Sequence, residues 1–160
     1  MKDWKTAIKM TRASAYSADS LAYWCAHWSG VIAAVKPLVA ETSKPCSYEP
    51  WTKALRDYIR TEAYIERYGQ HDPRLHDDLM YFAEDVSFPR WPTDADALIE
   101  FALTFLEADV MLFRSGYAKK SFLNRLRQSR MTAAQVQRIE NLARRAVTDG
   151  TGCEEFRPLC

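Results

Sequence analysis

Apolar residues recur at helical spacing along almost the whole chain, and no segment sustains the period-two alternation of a half-buried strand. The pattern predicts about seven helices. The first, about 3–15, carries Trp4, Ala7, Ile8 and Ala15 on one side. In the second, about 18–40, Leu21, Trp24, Cys25, Trp28, Ile32 and Val35 form one stripe, and Pro37 marks a kink or the last turn. A polar, Pro-bearing connection over 41–50 leads to a third helix, about 50–68, with Trp51, Leu55, Tyr58 and Ile65 on its buried side and Gly69 as a cap. Asp72 and Pro73 are suited to start a fourth, whose buried face is Leu75, Leu79, Phe82 and Val86.

After the stiff connector 87–92, in which Trp91 stands between Pro89 and Pro92, the fifth helix runs from about 93 or 94 to 113. Apolar residues cover most of its circumference, so it should be central; Asp96, Glu100, Thr104 and Glu107 make its polar stripe. A last pair, about 117–128 and 132–148, closes the fold, with Thr132 and Gln135 spaced as a capping box. Short connections favour antiparallel neighbours, so the expectation is an all-α, compact single-domain multi-helix bundle of helical hairpins over 1–148, followed by a tail over 149–160.

Composition narrows the picture. A chain of 160 residues with 48% hydrophobic content buries a core without needing a disulfide or metal. Cys25, Cys46, Cys153 and Cys160 form no C-x-x-C pair, and no stretch has the length of a signal or a membrane span, which together predict a cytoplasmic protein with reduced thiols and no membrane partner. Glycine-rich phosphate loops, G-x-S-x-G and H-E-x-x-H are absent, so no catalytic residue, resident metal or cofactor is assigned.

Two carboxylates stand on the wrong side of their predicted helices. Asp109 falls opposite Glu100, among Phe101, Phe105 and Leu112, and Glu62 takes an apolar slot in the third helix. Buried carboxylates need partners, so the expectation is a structural ion pair or, alternatively, a polar cavity at Glu62 and Asp109, with His76 beside it, that takes a metal or ligand. The order His27, His76-Asp77, Asp109 resembles that of metal-dependent phosphohydrolases of the HD type. The resemblance covers four residues and is one of order alone; it implies metal-assisted hydrolysis on an all-helical fold.

Charge is the most informative feature. Residues 1–113 hold 12 Lys and Arg against 17 Asp and Glu, whereas 114–145 hold 9 against 1. Arg114, Lys119, Lys120, Arg125, Arg127, Arg130, Arg138, Arg144 and Arg145 supply this block. Part of it can neutralise the acidic remainder across an internal interface. The function expected is non-catalytic: an adaptor, accessory or immunity-type protein holding an acidic protein partner with Trp91, Arg114, Lys119, Lys120, Arg127, Arg130, Arg138, Arg144 and Arg145. Nucleic-acid binding by the same basic pair is the alternative surface reading.

Overall fold

The computed structural model describes residues 18–40, 47–68, 75–87 and 95–148. The expected helix over 3–15, the caps at Gly69 and Asp72, the Trp91 connector and the tail over 149–160 lie outside them. The architecture is an all-α multi-helix bundle. Its seven α-helices among these residues are α1 (Ala18–Val35), α2 (Glu49–Tyr58), α3 (Glu62–Tyr68), α4 (Leu75–Ser87), α5 (Asp96–Glu107), α6 (Ser115–Leu126) and α7 (Ala133–Thr148). No described helix is long and apolar enough to cross a membrane.

The α1 stripe is buried as the spacing predicts, through Leu21, Cys25, Trp28, Ile32 and Val35. Pro37 ends the α-helix: the chain tightens into a 3-10 turn over Lys36–Leu38, because proline has no N–H to continue the ladder. The most extensive packing is between helices distant in sequence, α1 on α5 and α4 on α6, with α7 set against α5. The two basic helices therefore do not close on each other as an extended hairpin.

Aromatic rings carry this packing. Phe101 of α5 meets Phe82 of α4 edge-on at 5.1 Å and Phe122 of α6 at 5.8 Å, and Phe105 meets Phe122 at 5.5 Å. Trp28 joins α1 to the same cluster through Phe82 at 6.4 Å. The three phenylalanine pairs are edge-to-face contacts, which add to the large area each ring removes from water.

Two predicted helices are shorter than the periodicity suggested, for local reasons. The third helix is in fact α2 and α3, broken at 59–61. Thr61 makes the break: its Oγ1 donates to the Tyr58 carbonyl at 2.7 Å and accepts from the Tyr64 N–H at 3.3 Å, capping α3. The break shifts the helical phase, so Tyr64 rather than Ile65 is buried and Glu62 is exposed on the first turn of α3.

The fifth helix ends at Glu107 instead of continuing to 113. Asp109 adopts φ 52°, its N–H bonds the Leu106 carbonyl at 3.1 Å, and the Val110 N–H reaches back to Phe105 at 3.4 Å. This is a Schellman termination with aspartate in the position glycine usually takes. A second left-handed residue, Arg114 at φ 69°, then starts α6.

Phe101→Ala is expected to lower unfolding free energy by about 3–5 kcal/mol, as for other buried phenylalanines, whereas Phe113→Ala, at a position 74% exposed, changes it by less than about 0.5 kcal/mol. Urea denaturation of the two variants checks this contrast.

Candidate functional site: the divided basic block

The nine cations of the C-terminal block divide into those turned inward and those left outside. Arg138, on α7, faces the acidic stripe of α5. Its Nε and Nη2 donate to the two oxygens of Glu107 at 2.7 Å each, and its Nη1 donates to Glu100 at 2.6 Å. A planar guanidinium suits this two-pronged grip on a carboxylate.

One turn earlier, the capping box is formed: the Thr132 N–H donates to Gln135 Oε1 at 2.9 Å, and the Gln135 N–H donates to Thr132 Oγ1 at 3.3 Å. The same Gln135 side chain donates through Nε2 to Asp96 at 2.9 Å and Glu100 at 2.8 Å. The polar stripe of α5 is thus the seam on which α7 docks.

Burial alone would raise the Glu100 carboxyl, but hydrogen bonds from Gln135 and Arg138 outweigh it and hold the group below its usual 4.5. For Arg138, the Glu107 hydrogen bond leads: it overcomes burial and, with Glu100, raises the guanidinium above its ordinary range.

Lys119 is also an internal cation. Its side chain is fully buried, and its Nζ donates to Asp109 at 2.5 Å and to Met111 Sδ at 3.2 Å, tying α6 to the connection before it. Arg114 bonds Glu84 of α4 at 3.1 Å. Arg125 is buried on the inner side of α6, where loss of water holds its guanidinium below the usual value. Lys120, Arg127, Arg130, Arg144 and Arg145 are exposed. Trp91 lies outside the described residues.

The burial expected of the two carboxylates is corrected. Asp109 is 56% exposed and Glu62 is exposed, because both were placed by continuing a helical wheel past a break in the helix. Asp109 does have a buried partner, Lys119, and the pair lies at a helix end. The side chain of His76 lies outside the described residues.

Among the described carboxylates, the buried one is Asp85 of α4. Its signal in the sequence was its place three residues after Phe82 and next to Val86, on the inward side of the helix. Its helix packs against α6, which contributes the buried Arg125.

His27 is buried between Trp24 and Trp28, with ring centroids at 5.3 and 4.8 Å. No group of three or more His, Cys, Asp or Glu among the described residues has the arrangement to hold a metal ion. Burial pushes the Cys25 thiol up to about 12, which keeps it protonated and unsuited to nucleophilic attack at neutral pH. An open depression of about 420 Å³ on the last turns of α7 is lined by Asn141, Arg144, Arg145 and Thr148. No family model, curated protein or solved structure matches the chain.

The Glu100 seam has a defined acid signature. Its folded value lies below the unfolded 4.5, so its contribution is complete above 4.5 and disappears as pH falls through the folded value. Glu100→Gln is expected to cost about 0.5–1 kcal/mol at pH 7, a modest figure because the carboxyl is 45% exposed and screened by solvent. The difference from the parent should shrink as pH falls below 4.5, read from thermal melts between pH 3 and 7; a constant difference would contradict the assignment.

Proposed function

We propose that this chain is a non-catalytic binding protein of the adaptor or accessory kind, which holds an acidic protein partner on the outward cations of its C-terminal helices. One observation carries the reading. Arg138, Lys119 and Arg125 are turned to internal roles and Arg114, though 55% exposed, is held by Glu84, whereas Lys120, Arg127, Arg144 and Arg145 stand exposed with no ion pair among the described residues, and Arg130 is exposed as well.

A fold does not need cations in these places, and solvent-facing positive charge steers an acidic surface towards it. Arg138 and Lys119 leave the binding surface expected from sequence, since the first fastens α7 and the second fastens the turn before α6. The exposure of Glu62 and Asp109 removes the support for the cavity reading.

The test is gentle affinity isolation from the native host, followed by native mass spectrometry. The parent should retain a protein partner that is released by added salt, and Lys120→Glu/Arg127→Glu/Arg144→Glu/Arg145→Glu should lose it while keeping its helical circular dichroism. Undiminished retention by that variant would overturn the proposal. A partner removed by nuclease would replace it with nucleic-acid binding.

A further inference from the structure

Helix α6 sorts its side chains sharply. Lys119, Phe122, Leu123, Arg125 and Leu126 face inward, whereas Tyr117, Lys120, Asn124 and Arg127, at the helix end, are exposed. At 100° per residue the four exposed positions fall within an arc of about 80°, and they extend roughly 15 Å along the axis. The segment Ser115–Leu126 contains no acidic residue.

Tyr117 stands at the head of this stripe, and Phe113 lies in the connection that leads into α6. Phe113 is 74% exposed and Tyr117, four residues later, 72% exposed, more than the other exposed large apolar side chains among the described residues. Nothing in the packing requires them there: Leu112 beside Phe113 is buried and fills the core at this corner, and Ser115 Oγ accepts from the Leu112 N–H at 3.1 Å to hold the turn. Exposed aromatics followed by lysine and arginine have the composition of an interface centre.

We propose that Phe113, Tyr117, Lys120 and Arg127 form the docking stripe for an acidic amphipathic segment of a partner protein. Apolar side chains of that segment cover the aromatic pair, and its carboxylates lie against Lys120 and Arg127. The proposal rests on the reading of this chain as a binder of an acidic protein, and it locates the contact on α6 instead of on α7.

Charge along the stripe favours a protein segment over a nucleic acid. The aromatic end is close to neutral, because Arg114 is engaged by Glu84 and the Asp109 carboxylate is engaged by Lys119. A phosphate backbone would find only two stripe cations, about 10 Å apart by helical rise, and none at the aromatic end. An acidic segment with an apolar side needs this arrangement: neutral and apolar at one end, positive at the other.

Photo-crosslinking in the native host tests the stripe. Benzoylphenylalanine is placed at Phe113, at Tyr117 or, on α7, at Arg145, with thermal melts confirming that each variant folds. Adducts from 113 and 117 should map to a protein segment in which Asp and Glu accompany large apolar residues. Their yield should fall on the order of tenfold in the Lys120→Glu/Arg127→Glu background, and position 145 should give none.

Adducts from 145 alone, to an acidic protein, would overturn the α6 stripe while leaving the acidic-partner reading standing. Adducts to nucleic acid, or to a protein segment without acidic residues whose yield ignores the charge reversal, would overturn both. Absence of adducts at all three positions would do the same.

Discussion

Phe101 is the side chain on which the assembly of the helices turns. It brings α4 and α6 onto α5 through Phe82 and Phe122, and Phe82 in turn meets Trp28 of α1. With these helices covering the apolar side of α5, its acidic stripe is left for α7. That last helix buries Gln135 and Leu142 and is otherwise half-buried or exposed, so hydrogen bonds and ion pairs carry much of its attachment. A helix fastened this way belongs to the less stable end of a fold, more sensitive to acid and salt than the aromatic centre.

Much of the scaffold was legible in the sequence because periodicity and local chemistry agreed there. The α1 stripe, the Thr132–Gln135 capping box and the polar stripe of α5 all follow from spacing alone. Errors arose where a helix stops without the usual signal. Asp109 occupies a left-handed position that glycine normally announces, while Gly116, seven residues on, sits inside α6. Thr61 caps a new helix in the middle of an apparently continuous pattern. A wheel carried across either stop reverses which residues are inside, and Glu62 and Asp109 were misplaced for that reason.

The charge block was also legible as a block, but its division was not. Whether an arginine is structural depends on what faces it from elsewhere: Arg138 meets Glu107 and Glu100 only because α7 folds back over α5, across more than thirty residues of chain. Arg125 and Arg127, two residues apart, differ because one side of α6 is covered and the other is not. The positive charge of these helices therefore forms two populations. One closes internal seams, and the other, with Phe113 and Tyr117, faces outward.

That division is tested most directly by urea denaturation of Arg138→Gln beside Lys120→Gln/Arg127→Gln. The account predicts that the first loses about 1–3 kcal/mol, because two carboxylates lose a charged hydrogen-bond donor, while the second stays within about 0.5 kcal/mol of the parent. Equal losses, or a loss confined to the double variant, would contradict it.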